Sequence, residues 1–120
     1  MRPHSKLEAW RKAVDLVVYV YRLTETFPKE ERFGLTSQIR RAAVSIPANI
    51  AEGAGRRSSK EFAHFLSNAQ GSASELETEL IIGHRLGNVN DNDFLELSNS
   101  LDLIGRLITG LSKYLLRRMN

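Results

Sequence analysis

The stretch Gln38-Ile39-Arg40-Arg41-Ala42-Ala43-Val44-Ser45-Ile46-Pro47-Ala48-Asn49-Ile50-Ala51-Glu52-Gly53 decides the fold of this chain. Its apolar residues recur at three- and four-residue spacing, which is typical of one face of an amphipathic α-helix. Pro47 lies inside the pattern, where a proline removes one backbone donor and clashes with the carbonyl four residues earlier, at a cost of about 3 kcal/mol. Because the apolar spacing continues across the proline with little phase error, we predict one helix that is kinked at Pro47 rather than two short helices.

A first helix is predicted over residues 6–27, since Ser5 and Glu8 have capping-box spacing and Pro28 follows the pattern. Its apolar residues form two neighbouring stripes. The stripe predicted to face the core is Leu7, Trp10, Val14, Val17, Tyr21 and Thr24, and the second is Leu16, Val20, Leu23 and Phe27. A single helix–helix seam cannot bury two apolar faces of one helix, and the remaining apolar surface favours self-association.

Two more helices are predicted, one from a capping box at Ser58 and Glu61 to about residue 86, and one over residues 91–118. Gly71 lies inside the third helix, where a glycine costs up to ~1 kcal/mol relative to alanine, so we expect a neighbouring backbone to pack closely there. Short joints make consecutive helices antiparallel. The sequence therefore predicts an all-α, up-down-up-down four-helix bundle, formed as a single domain by residues 1–120.

Composition and side-chain patterns exclude several classes of function. The chain has no cysteine, so it has neither disulfides nor thiolate metal sites. Its longest apolar run, residues 16–21, is far shorter than the ~20 residues that span a bilayer, and no signal-peptide pattern is present, so we expect a cytoplasmic protein with no membrane partner.

No pattern predicts catalysis. Glu61 and His64 have the Glu-x-x-His spacing of di-iron bundles, but such sites need a second pair and further glutamates. Glu75, Glu77 and Glu79 are interpreted as a solvated acidic stripe that meets arginines of another helix or subunit. We therefore expect a protein that is not an enzyme and that has no cofactor and no metal site.

The basic residues indicate a possible function more clearly than the acidic ones do. Residues 1–60 hold twelve Lys and Arg against six Asp and Glu, whereas residues 61–120 hold five against eight, which predicts a basic surface from the first half and an acidic surface from the second. Arginine pairs bind phosphates well. The candidate nucleic-acid-binding residues are Arg40, Arg41, Arg56, Arg57 and Lys60. The alternative is that Arg40 and Arg41 form structural ion pairs with glutamates.

Residues 33–53, which run from Phe33-Gly34-Leu35-Thr36-Ser37 through the quoted stretch, strongly resemble the four-helix-bundle family named after the 23S ribosomal RNA intervening-sequence protein. The resemblance extends to the Trp10 region, to Ser59-Lys60-Glu61-Phe62 and to residues 69–78. It implies a small bacterial protein whose relatives form homopentamers around a central axis, with no catalytic residues to carry over. A similar family, the accessory proteins of diversity-generating retroelements, forms pentameric basic barrels that engage RNA and a reverse transcriptase.

Two functions are consistent with these observations. The first is a homo-oligomeric helical scaffold, pentameric by resemblance, that binds RNA or an RNA-associated protein through its basic residues. The alternative is a protein-interaction module without nucleic-acid binding, in which a groove holds a partner helix and the arginines form structural ion pairs.

Overall fold

The computed structural model describes residues 2–119, which form four α-helices. The helices are α1 (Glu8–Thr24), α2 (Leu35–Ala54), α3 (Ser59–Arg85) and α4 (Asp91–Arg118). Short 3₁₀ turns at Pro3–Lys6 and Lys29–Glu31 precede α1 and α2. No strand occurs within residues 2–119, and the predicted all-α class is confirmed.

The helices α2 and α3 run antiparallel in close contact. The side chain of Leu35, at the start of α2, lies beside Gly83, near the end of α3. At the opposite ends of the two helices, Gly53 packs against Phe62. The two pairs are separated by most of the length of both helices, so the contact continues along the pair.

The helices α3 and α4 are also antiparallel. Their turn is closed by His84, whose Nε2 lies 2.7 Å from Asp91 Oδ1. Farther along, Gln70 Nε2 donates hydrogen bonds of 3.1 Å to Gly105 O and to Thr109 Oγ1. The helix α4 packs in addition against α1, and α1 packs against α2, so the four helices enclose one core.

The most deeply buried stripe of α1 is the second of the two predicted stripes. Its buried residues continue past the end of the helix at alternating four- and three-residue spacing: Ala9, Ala13, Leu16, Val20, Leu23 and Phe27. Of the first stripe, Thr24 is buried and Tyr21 is 41% exposed, whereas Leu7, Trp10 and Val17 are partly buried against the core. Ala9 and Ala13 extend the second stripe toward the start of α1, and their small side chains let the neighbouring helices approach α1 closely.

One of the two serines predicted to cap a helix does so. Ser58 Oγ accepts a 3.1 Å hydrogen bond from the backbone N–H of Glu61 and caps α3, as predicted. Ser5 does not cap α1, because its Oγ donates to Arg2 O at 2.8 Å. Pro3 opens a 3₁₀ turn that contains Ser5, so α1 begins only at Glu8.

The helix α2 continues through Pro47 without a break, so the prediction of one helix rather than two is confirmed. The proline is buried, as are Ala43 and Ile50 on the same helix. Burial of the proline and its neighbours offsets the hydrogen bond that the proline removes. The kink itself stays a prediction.

The close approach expected at Gly71 is found at Gly53 instead. A Cβ atom at Gly71 would have open space around it within 4 Å among the described residues. A Cβ at Gly53 would lie 2.9 Å from both Phe62 Cδ1 and Phe65 Cβ, which is closer than carbon atoms pack. Gly53 is therefore required by the contact between α2 and α3.

Replacement of each glycine by alanine tests this difference. Gly53→Ala should lower the free energy of unfolding by about 1–3 kcal/mol, because overpacking outweighs the better helix propensity of alanine. Gly71→Ala should raise it by up to ~1 kcal/mol, because only the propensity changes. Urea unfolding at one protomer concentration measures both, and equal effects of the two substitutions would contradict the assignment.

Candidate nucleic-acid interface

Arg40 is anchored between α1 and α2. Its Nε donates a 2.7 Å hydrogen bond to Thr24 Oγ1, and its Nη2 donates to Tyr21 O at 3.3 Å. The guanidinium also lies over the Tyr21 ring, 4.5 Å from the centroid. These contacts use two of its five N–H donors and hold the guanidinium against α1, so Arg40 stabilises helix packing, although not through the predicted pairing with a glutamate.

Arg41 points to the other side of α2, since consecutive residues of a helix lie about 100° apart. It is exposed and lines a polar groove of about 400 Å³ between α2 and α3. The groove is also lined by Gln38, Ala42, Ser45, Ser72 and Glu75. The arginine pair of the sequence is therefore divided between two surfaces.

The other three candidates lie together at the turn between α2 and α3. Arg56, Arg57 and Lys60 are all exposed. Arg56 Nη2 forms a 3.3 Å ion pair with Glu52 Oε2, and its guanidinium lies 4.8 Å from the centroid of the Phe65 ring. Arg41 is separated from this turn by about 20 Å along α2, so the five predicted residues do not form one patch.

Three basic residues that the sequence analysis did not select lie at the same end of the bundle. From the hydrogen bonds of Gln70 to α4, α3 runs back about 17 Å to Ser59, while α4 runs forward about 14 Å from Thr109 to Arg118. Because the two helices are antiparallel, the start of α3 and the end of α4 meet at one end. The added residues are Lys113, Arg117 and Arg118.

Charge differs between the two ends of the bundle. At one end, residues 52–61 and 113–118 carry six cations against two carboxylates. At the other, residues 25–32 and 85–96 carry six carboxylates against three cations. We call these the basic end and the acidic end. Each end contains residues from both halves of the chain, and the predicted basic surface from the first half and acidic surface from the second stay a prediction.

Glu79 departs from the predicted solvated stripe. It lies one turn before Gly83, which packs against Leu35 of α2, it is only 6% exposed, and its Oε1 has no hydrogen-bond partner among residues 2–119. Burial raises the pKa of the Glu79 carboxyl, and the charge of Glu75 raises it further. Glu75 and Glu77 are exposed as predicted.

The raised pKa of Glu79 predicts a pH dependence of stability. The folded protein binds the proton more tightly than the unfolded chain, so the contribution is full below the ordinary Glu pKa of about 4.3 and is lost as pH rises through the folded-state pKa. Glu79→Gln should remove this loss and raise stability at neutral pH.

Thermal unfolding across this pH range measures the effect. The matched control is Glu77→Gln, because Glu77 is exposed on the same helix and its replacement should leave the profile unchanged. A profile that Glu79→Gln does not flatten would contradict the assignment.

Tyr19 joins α1 to α4. Its hydroxyl donates a 2.5 Å hydrogen bond to Asp93 Oδ1. This hydrogen bond, together with burial and the charges of Asp93 and Glu96, raises the pKa of Tyr19 to about 12. The phenol is therefore neutral at physiological pH and acts as a fixed donor between two helices.

The described residues bring no group of three or more His, Asp or Glu side chains into a metal-binding arrangement. Glu61 and His64, the pair with di-iron spacing, are both exposed in the first two turns of α3. Within residues 2–119, no helix is both long enough and apolar enough to span a membrane.

Comparison with known proteins identifies the class. The family model of the 23S rRNA-intervening sequence protein matches residues 5–110, and the chain belongs to this family. Among solved structures, it is similar to a protein of unknown function from the S23 ribosomal protein family of Bacteroides thetaiotaomicron VPI-5482. The two share 25% sequence identity with a TM-score of 0.81, over 88% of this chain and 98% of the other. A comparison with curated proteins finds no match.

Proposed function

We propose that this protein is a non-enzymatic, homo-oligomeric scaffold, pentameric by family likeness, that binds RNA or an RNA-associated protein through basic residues. The observation that carries the proposal is the group of exposed cations at the turn between α2 and α3. Membership in a family named for an insertion in ribosomal RNA supports an RNA partner. A cytoplasmic location stays a prediction.

Self-association is supported by an exposed apolar strip that crosses α1 and α2. Val18, Tyr21 and Val44 are each between 41% and 44% exposed. Tyr21 lies one turn after Val18 on α1 and contacts Arg40 of α2, and Val44 lies one turn after Arg40. The three side chains therefore lie along one line that passes Arg40, and a second copy of the chain that packed on this strip would remove them from water.

Sedimentation of the native protein tests the assembly. We expect a mass that is a multiple of the 13.5 kDa protomer, five-fold for a pentamer. Val44→Glu should shift the protein toward single protomers, because a charge would be buried in the interface. Leu95→Glu is the matched control, since Leu95 is 60% exposed on α4 and lies outside the strip. A wild-type protein that sediments as a single protomer at micromolar concentration would contradict the proposal.

RNA binding is supported by the chemistry of the exposed cations. Arginine binds phosphate oxygens through two parallel hydrogen bonds, and each phosphate that a cation neutralises releases counterions from the nucleic acid. The ion pair of Arg56 with Glu52 is an exposed pair, worth about 0.3–0.5 kcal/mol, so a phosphate displaces it readily.

Titration of a structured RNA at several salt concentrations tests this part. With six phosphate contacts, affinity should fall by about 10³ between 50 and 200 mM salt. Arg41→Ala should leave the fold intact because its side chain is exposed, whereas Arg40→Ala should lower stability because of its contacts with α1. The change in affinity for Arg41→Ala then shows whether the α2–α3 groove takes part. Absent or salt-insensitive binding of the wild type would contradict an RNA function.

The alternative is a protein-interaction module with structural arginines. It is favoured by the contacts of Arg40 with Thr24 and Tyr21, which show one predicted RNA-binding residue engaged inside the protomer. An assembled wild-type protein with no affinity for RNA would support it.

A further inference from the structure

We infer that the nucleic-acid surface is the basic end of the bundle, formed jointly by Arg56, Arg57 and Lys60 at the turn between α2 and α3 and by Lys113, Arg117 and Arg118 of α4. The inference rests on the proposed RNA binding and assigns its site. The proposed function assigns no role to the three residues of α4.

The basic end acts independently of the acidic end. The molecule is 49 Å long and about 22 Å wide, whereas the Debye length at physiological salt is about 8 Å. A phosphate backbone near the basic end is therefore screened from the carboxylates at the other end. The modest net charge of +3 understates the local attraction.

Helix stability alone does not account for these cations. Cations in the last turn of α4 interact favourably with the negative end of its dipole, which explains Arg117 and Arg118 in part. Lys60, however, is in the first turn of α3, where the dipole disfavours a positive charge. A charge placed against the local preference and exposed to solvent is consistent with an external anionic partner.

The residue types favour phosphate over carboxylate as the partner group. Four of the six cations are arginines, whose planar guanidinium presents a fork of donors that matches phosphate oxygens. Tyr114, which is 48% exposed on the last turns of α4, lies beside Arg118 and provides a flat apolar surface next to the cations. Exposed arginines beside an aromatic ring are typical of surfaces that bind single-stranded or looped RNA.

Three triple variants of the intact chain test the assignment with matched charge. The first variant neutralises the half of the site at the α2–α3 turn and combines Arg56→Gln, Arg57→Gln and Lys60→Gln. The second variant neutralises the half on α4 and combines Lys113→Gln, Arg117→Gln and Arg118→Gln. The control, Arg22→Gln, Lys29→Gln and Arg32→Gln, removes the same charge near the acidic end. All nine residues are exposed, so each variant should fold.

Affinity for a structured RNA with an unpaired loop is measured across salt concentrations. Each basic-end variant should weaken binding more than tenfold and reduce the salt slope by about 2–3, because each lost phosphate contact changes the slope by about 1. The control should stay within about twofold of the wild type. Should the α4 triple variant unfold, Arg117→Gln alone replaces it, with an expected change in slope of about 1.

The outcomes separate this inference from the proposed function. The assignment of the site to the joint basic end is contradicted if the wild type binds RNA but the α4 variant behaves like the control. It is also contradicted if all three variants weaken binding equally. Either result leaves the proposed RNA binding itself intact. If the wild type does not bind RNA, the proposed function itself fails. Equal affinity for polyglutamate, with the same dependence on the variants, would assign the surface to an acidic polypeptide and overturn the RNA assignment.

Discussion

The close contact of α2 with α3 at Gly53 is the constraint on which the rest of the structure depends. A side chain at this position would collide with Phe62 and Phe65, so only glycine allows the end of α2 to lie against the start of α3. That contact fixes the intervening turn, and Arg56 packs over Phe65 from the turn itself. The same contact that closes the core therefore also orients the cations of the basic end.

Some of the fold was predictable because local signals and tertiary packing agree. The helix α4 runs from Asp91 to Arg118 as predicted, since Asn90 caps it through a 2.8 Å bond from the Asp93 N–H and charges of the appropriate sign lie at both ends. At the start of α1 the local sequence signal and the structure disagree, because Pro3 favours a 3₁₀ turn over the predicted capping box. There the local preference of one residue overrode the motif.

The candidate site was less predictable, because it depends on contacts between distant parts of the chain. The neighbours Arg40 and Arg41 look equivalent in the sequence, yet one contacts α1 and the other lines the groove beside α3. Glu79 belongs to an acidic pattern that is otherwise exposed to solvent, but its own side chain is buried. The cations of α4 join those of the α2–α3 turn only through the antiparallel pairing that Gln70 marks. The composition or residue spacing of a single segment cannot predict that two distant segments lie side by side.

The division of charge also bears on the proposed assembly. The proposed side-by-side assembly through the strip of Val18, Tyr21 and Val44 allows two arrangements, with the long axes of the protomers parallel or antiparallel. Cyclic symmetry about an axis along the bundles brings every basic end to one face, where like charges repel at low salt and are screened at high salt. A polyanion on that face would neutralise the repulsion, so the proposed RNA binding and the proposed assembly would stabilise each other by linkage in this arrangement. An antiparallel arrangement places basic ends on opposite faces and lacks this coupling. The orientation of protomers therefore decides whether the basic ends form one continuous surface or several separate ones.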